Sequence, residues 1–417
     1  MKESAKKIAI IGGGAAGFFA AINLKRLQPD AEVTIFEASE QPLAKVAVSG
    51  GGRCNLTNTF LDQYGEPLNL IKVYPRGEKI MRNCLRQFDQ TDCYEWFERE
   101  GVKLVTQEDQ CVFPKSQDSY EIIELFYSLC DELGVIIKKR HFVESIRKEG
   151  ERFKVLFGEG LKSYDCDYLL ATTGGSPKRE GMNLYNELPI RITDLAPSLF
   201  SLKIPNNPIT ELTGAVIENA QVTLKGGKVC GTGAMLITHW GVSGPAVLKL
   251  SSYCAKRLKE EEYKGAILIN WVGITQDEIG EQLRATIDEN GKKMVGSLHP
   301  FGLTTRVWEH ILQRSDISLE RRVAELGSKG INRIIATLAS DEYQFNGRGT
   351  NKEEFVTCGG IAVGALNPRT LESHDCKGLF FAGEVIDLDA ITGGFNLQAA
   401  WTTAFAASTA ISYYLND

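Results

Sequence analysis

Six residues set the frame: Gly12-Gly13-Gly14-Ala15-Ala16-Gly17. They follow a short apolar run, residues 6–11, and open a stretch of helical character at 15–27, which Gln28, Pro29 and Asp30 close. A second strand-like run follows at 32–37. Strand, glycine turn, helix and strand within about 30 residues make a βαβ unit. The G-x-G-x-x-G spacing has a mechanical reading. Gly12 permits a tight turn, Gly14 lets backbone approach a pyrophosphate, and Gly17 lets helix pack closely on strand. The helix start then offers free N–H groups and the positive end of its dipole to phosphates. Glu37 ends the second strand, 20 residues past Gly17, where a carboxylate can accept hydrogen bonds from ribose hydroxyls. The bland alternative is a tight strand–helix turn with no ligand.

Three further loops have the composition of ligand-facing turns. Ser49-Gly50-Gly51-Gly52-Arg53-Cys54-Asn55 carries three consecutive glycines, whose backbone can pass close to a flat or charged group. Arg53 there can face a phosphate or a substrate carboxylate or carbonyl, or simply be solvated. Cys54 is equally readable as a small buried hydrophobe. Lys45 precedes the loop as a solvated or phosphate-side lysine. Thr172-Thr173-Gly174-Gly175-Ser176 ends the apolar run 168–171, at the kind of carboxyl sheet edge where ligands bind in open α/β folds. The last block is Phe381-Ala382-Gly383-Glu384, then Asp387, then Gly393-Gly394-Phe395-Asn396-Leu397-Gln398. Asp387 can accept a hydrogen bond from a polyol chain. The two glycines open a helix over 396–414 whose positive dipole end suits developing negative charge.

Between these blocks the pattern changes. Residues 78–100 and 118–133 read as amphipathic helices, the second capped by Asp118 or Ser119, with 40–60 irregular. Strands are expected at 134–138, 152–157 and 167–171. Short β-like runs at 199–204, 215–225, 228–238 and 265–272 suggest a barrel or sandwich. Residues 275–340 are charged and helix-rich, and strand character returns at 343–346 and 355–363. The expected architecture is α/β: a discontinuous nucleotide-binding domain from 1–190 and 362–417, an inserted β-barrel-like domain from 191–274 and 341–361, and within it a helical subdomain at 275–340.

Composition narrows the classes. The net charge is 47 − 53 = −6, without the basic excess that a nucleic-acid partner usually requires, so none is expected. No apolar run is long enough to span a membrane, and no cleavage site follows the N-terminal apolar stretch. The ten cysteines include no C-x-x-C pair, which argues against structural zinc and against a dithiol relay and suits a reducing cytoplasm. No metal site is expected.

With SGGGRCN-x-TN at 49–58, TH-x-GVSGPAVL at 238–248, VTCGGI at 356–361 and FAGEVIDLDAITGGFNLQAAW at 381–401, the chain resembles the glutathione-reductase-like FAD superfamily. Within it, the chain resembles the YhiN/BaiN-like, aminoacetone-oxidase-type NAD(P)/FAD-dependent oxidoreductases. The resemblance spans nearly the whole chain and implies noncovalent FAD in a Rossmann-type domain. It implies that Gly12, Gly13, Gly14, Ala15, Ala16, Gly17 and Glu37 hold the ADP half, with Val143 at the adenine. It places Lys45, Gly50, Gly51, Gly52, Arg53, Cys54 and Asn55 on the flavin side, with Thr173 and Gly174 beside the cofactor. Gly383, Glu384, Asp387, Gly393, Gly394, Phe395, Asn396, Leu397 and Gln398 would hold the ribityl chain and ring system. The segment 178–196, after Gly175-Ser176-Pro177, departs from the family's pattern and looks shortened, which touches substrate or donor recognition more than FAD binding.

Without a second G-x-G-x-x-G there is no separate nicotinamide domain to see. The expected reaction is a two-step exchange: NAD(P)H, as a transient donor, or the substrate itself reduces FAD, and O₂ or an unsaturated carbonyl compound takes the electrons. His239, in Thr238-His239-Trp240, is the candidate proton carrier because histidine titrates in the useful range. Arg53 is the candidate for orienting an anionic or carbonyl substrate. Three classes stand: an oxidoreductase of a small metabolite, a flavin-dependent RNA-modifying enzyme, and a non-catalytic flavin-binding protein.

Overall fold

The computed structural model describes residues 5–62, 64–176, 178–349 and 356–416. Pro177 and the 350–355 part of the expected barrel return lie outside them. The chain divides into two compact units, Met1–Ala196 with Val356–Asp417, and Pro197–Phe355.

The first unit is built on a five-stranded, all-parallel sheet. Its strands lie in the order Leu379–Phe381, Tyr168–Ala171, Lys7–Ile11, Glu32–Phe36, Ile136–Lys138. Ile11 stands beside both Ala171 and Phe36, so the carboxyl ends of three strands finish together. Ile8, Ala9, Ile10 and Ile11 are all buried. A parallel strand covered on both faces has to be apolar throughout, which is why this run does not alternate. The helix Ala15–Leu27 returns over the sheet with Phe18, Phe19, Ile22 and Leu24 buried. The helix Phe395–Asn416 packs against it and buries small side chains along nearly its whole length, from Ala399 to Ser412. A helix without a polar face belongs in an interior.

Three local expectations change. Residues 78–100 are two helices, Glu78–Cys84 and Gln90–Arg99, because Asp89 caps the second one through Thr91 and Asp92. The glycine-rich stretch after residue 40 holds a short helix, Ala44–Gly52, which leaves helical geometry at Ser49, Gly50 and Gly51. A strand at Val143–Glu149, unmarked in the sequence, pairs with Arg152–Phe157. Asp118, rather than Ser119, caps the helix Ser119–Glu132.

The second unit is a six-stranded antiparallel sheet in the order Leu202–Lys203, Gly241–Ser243, Cys230–Thr238, Val216–Leu224, Lys264–Asn270, Asp341–Asn346. Its ends meet. Lys203 N–H donates to Gly347 O at 2.9 Å and Gly349 N–H to Ser201 O at 2.7 Å, which closes the sheet into a small barrel. Val222, Met235, Ile237, Ile267 and Ile269 share one core with Ile279, Leu283, Trp308, Ile311 and Leu338 from the helical insertion. At that seam lies a buried polar network. Asp341 accepts from Arg314, Trp271 and Tyr343, and His310 Nε2 lies 2.8 Å from the Tyr343 hydroxyl.

Candidate functional site

The carboxyl edge of the parallel sheet is where the sequence motifs of the first unit converge. At the first turn Gly12 has φ +113°, and its N–H donates to Phe36 O at 2.8 Å. A Cβ on Gly12 would stand 2.4 Å from Thr172 O, and one on Gly17 would stand 2.1 Å from Gly12 O. Both glycines are therefore required by the protein's own packing. Gly14 is different: a Cβ there would meet nothing within 4 Å. The space at Gly14, in front of the start of the helix, is open, as it must be if a pyrophosphate is to lie against that backbone. Gly174, at φ +74°, has the same open space. These are the features expected of a cradle for the ADP half of FAD, and the residues fit that group. Ala15 and Ala16 form the first helical turn, whose N–H groups have no partner within the helix.

Glu37 sits at the end of its strand, half-buried. Its Oε2 accepts the Gly13 N–H at 2.8 Å and its Oε1 the Ser39 N–H at 2.7 Å. These bonds fix the carboxylate beside the glycine turn, and each oxygen keeps a lone pair for a ribose hydroxyl. His141 N–H donates to Glu37 O at 2.8 Å, so the chain leading to Val143 runs past this carboxylate. Val143 itself is buried and opens a strand opposite Phe157.

The second loop has an unusual backbone. Gly50, Gly51 and Gly52 all have positive φ (58°, 72° and 85°). Gly50 lies under Phe113, where a Cβ would approach the ring to 2.8 Å, whereas Gly51 faces open space. Arg53 stacks over Phe113, 4.3 Å from the ring centroid. Its Nε donates to Gly50 O at 2.9 Å and its Nη1 to Gln117 Oε1 at 3.3 Å. The guanidinium is thus held flat, with donors left over. Cys54 is fully buried, and burial pushes its thiol up to about 12. It stays protonated at neutral pH and is no nucleophile. The Asn55 amide, oriented to satisfy both ends, accepts from Gly394 N–H at 3.1 Å and donates to Thr57 O at 3.0 Å. Lys45 pairs with Glu384 at 2.7 Å, and the other Glu384 oxygen accepts the Thr357 N–H at 2.7 Å.

The C-terminal block closes the site. Gly383 N–H donates to Thr403 Oγ1 at 2.8 Å, and a Cβ there would press on Ala16 at 3.0 Å. Asp387 accepts from Thr193 Oγ1 at 2.9 Å and from Gly359 N–H at 3.0 Å. Gly393 hands its carbonyl to Asn58 Nδ2 at 3.1 Å. Gly394 is pressed against Thr57, whose carbonyl a Cβ would reach at 2.3 Å. Phe395 is buried edge-on to Phe60, Asn396 knits its amide to the Ala390 backbone, and Leu397 is half-buried in the first helical turn. Gln398 is fully buried and accepts from Thr57 Oγ1 at 2.5 Å. Thr173 Oγ1 lies 3.1 Å from the Tyr185 hydroxyl.

Sequence reasoning missed the strap Val73–Gly77. Val73 O accepts from Ile391 N–H, Tyr74 OH donates to Phe395 O, each at 3.0 Å, and Arg76 grips Asp389 with two nitrogens. Gly77 lies flush on Leu388, where a Cβ would meet Cδ1 at 2.5 Å. The sequence around it, Tyr-Pro-Arg-Gly, signals only a turn. His239 belongs to the other unit, exposed in the turn between Thr238 and Gly241, with Trp240 edge-on at 6.5 Å. Among the described residues no cluster of His, Cys, Asp or Glu could hold a metal ion, and no helix is long and apolar enough to cross a membrane.

A 3-dehydro-bile acid delta(4,6)-reductase of Clostridium scindens is 27% identical over 97% of this chain and 98% of its own length. A ribosomal RNA dihydrouridine synthase of Escherichia coli is 29% identical over 96% of each chain. In fold, a 3-ketosteroid delta1-dehydrogenase of Sterolibacterium denitrificans superposes with a TM-score of 0.51 at 11% identity, covering 99% of this chain and 100% of that one. The family model described as HI0933-like protein Rossmann domain matches residues 6–410, so the chain belongs to that family and is an FAD-dependent oxidoreductase.

Proposed function

We propose that this oxidoreductase reduces a carbon–carbon double bond conjugated to a carbonyl group in a small metabolite, with NAD(P)H as the electron donor. The observation that carries this reading is the chemistry shared by its relatives' names. A delta(4,6)-reductase of a 3-dehydro substrate and a synthase of dihydrouridine both saturate a double bond near a carbonyl. Bound FAD supplies the two-electron chemistry. The acceptor gains a hydride equivalent at one carbon and a proton at the other, while NAD(P)H becomes NAD(P)⁺.

The protein's own residues support such a route. Cys54 is held protonated, and the sequence has no C-x-x-C, so no dithiol relay is available. Arg53, flattened on Phe113, keeps N–H donors for the acceptor's carbonyl oxygen, whose developing negative charge it would stabilise. As a permanently charged group it cannot supply the proton. The proton has to come from a group that titrates near neutrality, the chemistry for which His239 was singled out. The cofactor contacts are those the motifs name, from Gly12–Gly17 and Glu37 through Gly50–Asn55 to Gly393–Gln398.

The second reading, reduction of a uracil base within RNA, has a specific support: the names of relatives as similar as the bile acid reductase. It contests the exclusion drawn from net charge. The deciding experiment is anaerobic mixing of the FAD-loaded protein with NADH, then NADPH, following the flavin absorbance. Bleaching is expected, followed by recovery on adding a conjugated enone such as a 3-oxo-4-ene steroid. Recovery with a uridine-containing RNA but no enone would move the assignment to RNA. No bleaching by either nicotinamide, with dithionite still effective, would overturn the donor.

A further inference from the structure

The glycine motif at 356–361 and the end of the segment 178–196 meet in the first unit. Thr193 N–H donates to Gly360 O at 2.8 Å and Ala362 N–H to Arg191 O at 2.9 Å, so residues 191–193 run antiparallel to 360–362. On the opposite side Ile361 N–H donates to Val385 O at 2.8 Å, and Asp387 N–H to Ile361 O at 2.9 Å. Ile361 is thus the middle of three short chains, with Thr193 on one flank and Asp387 on the other.

Two glycines allow the flanks to come this close. A Cβ on Gly359 would stand 2.1 Å from Asp194 O, and one on Gly360 would stand 2.3 Å from Val385 O. Across that bare backbone Thr193 Oγ1 reaches Asp387 Oδ2 at 2.9 Å and accepts the Gly360 N–H at 3.1 Å. Gly360 O also lies 3.2 Å from the hydroxyl, but it already accepts the Thr193 N–H, so the hydroxyl hydrogen belongs to the carboxylate. The other carboxylate oxygen, Oδ1, accepts the Gly359 N–H at 3.0 Å. With one donor on each oxygen, the carboxylate cannot turn about its Cβ–Cγ bond without losing both. Asp387 is buried, and a clamped carboxylate that keeps a lone pair on each oxygen is prearranged for a donor from outside the chain.

We infer that Thr193 is a positioning residue for the cofactor: it holds the Asp387 carboxylate in the orientation from which it accepts a hydroxyl of the ribityl chain. The inference rests on the reading that Asp387 meets that chain. It gives the glycines of the 356–361 motif their task, which is to let Thr193 and Asp387 touch across the strand between them. It also puts the end of the segment 178–196 to work on the cofactor, whichever acceptor the flavin reduces.

The test is made on the full-length protein. FAD affinity is read from flavin fluorescence, and ADP, which reports on the Gly12–Gly17 half alone, is titrated calorimetrically into the FAD-free protein. Thr193→Val keeps the shape and loses the hydroxyl; Thr193→Ala loses it without the added methyl and is read alongside. Both strand the Gly360 N–H, so a fall in melting temperature is expected in any case and is not the readout. FAD should bind at least tenfold more weakly, with ADP affinity held within about twofold, and Thr193→Ser should restore FAD to within about threefold. In the Asp387→Ala background, Thr193→Val should weaken FAD no further, since a residue that acts through another is silent once that one is gone. Undiminished FAD affinity in both hydroxyl-free variants, an equal loss for ADP, or the full further loss on top of Asp387→Ala overturns the inference. FAD held as tightly by Asp387→Ala as by the parent overturns the ribityl reading of Asp387, and the inference with it.

Discussion

Arg76 lays two guanidinium nitrogens on the carboxylate of Asp389, which is fully buried. The pair joins two segments more than 300 residues apart in sequence, and it does so two residues past Asp387, in the loop that leads to Gly393. Removing one partner of such a pair leaves the other charge buried, which costs about 3–5 kcal/mol. Arg76→Ala is therefore expected to lower the melting temperature and weaken FAD retention together. Arg76→Ala/Asp389→Ala should recover part of the stability. A single variant as stable as the parent, with FAD fully retained, would remove the strap from the account of the site.

The glycines of the first turn separate folding from binding. Gly17→Ala drives a methyl into Gly12 O, and overpacking of this kind costs about 1–3 kcal/mol even where the surroundings yield. Gly14→Ala adds a Cβ that meets nothing within 4 Å in the FAD-free protein. It should leave the melting temperature of the FAD-free protein nearly unchanged while reducing FAD affinity at least tenfold, about 1.4 kcal/mol. Equal loss of stability in both variants would mean that the space at Gly14 is not reserved for a ligand.

Stability should fall on mild acidification through His310. Desolvation by burial lowers its proton affinity below the ordinary 6.5, with Arg314 acting in the same direction and Asp341 and Glu211 opposing. The folded state therefore binds the proton less readily than the unfolded chain. Its contribution to stability is intact above 6.5 and is lost as the pH falls through that value toward the lowered one. The loss approaches about 1.4 kcal/mol for each tenfold difference in proton affinity. Thermal melts from neutral pH downward should show the slope in the parent and a shallower one in His310→Gln. Identical slopes would assign the acid sensitivity elsewhere.

Cysteine chemistry gives a clean negative expectation. With its thiol raised to about 12 and no exposed surface, Cys54 should resist iodoacetamide in the folded protein, whereas the half-buried Cys230 and Cys254 should react first. Peptide mapping before and after urea checks this. Cys54→Ser should keep turnover within about twofold; a large loss in kcat would restore a role for the thiol.

How much of this was readable from sequence depends on range. The glycine turns were legible because each is a local backbone requirement, imposed within six residues by a tight turn or a close approach. The parallel sheet was legible because its strands are apolar throughout. Val143–Glu149 was missed because its pattern alternates imperfectly around exposed charges. The break at 85–89 was hidden by continuous apolar periodicity, although Asp89 with Asp92 was a capping signal available to be read. The strap was out of reach altogether. Nothing in Val-Tyr-Pro-Arg-Gly announces a partner at Asp389, since charge pairing across such a distance leaves no periodic trace. Arg53 stood out from its glycine-rich loop, but its stacking on Phe113 depends on a strand that only folding brings beneath it.

The packing of the N-terminal helix against the C-terminal one has a consequence for how the protein comes into being. A ribosome delivers Gly12–Gly17 long before Gly393–Gln398. The sheet waits as well, since Leu379–Phe381 is its outermost strand beside Tyr168–Ala171. The contiguous stretch Pro197–Phe355 has its own core and can consolidate while synthesis continues. The cradle proposed for the cofactor, by contrast, draws on Gly12–Gly17 together with Gly393–Gln398, so it cannot form before the second of these segments has been synthesised.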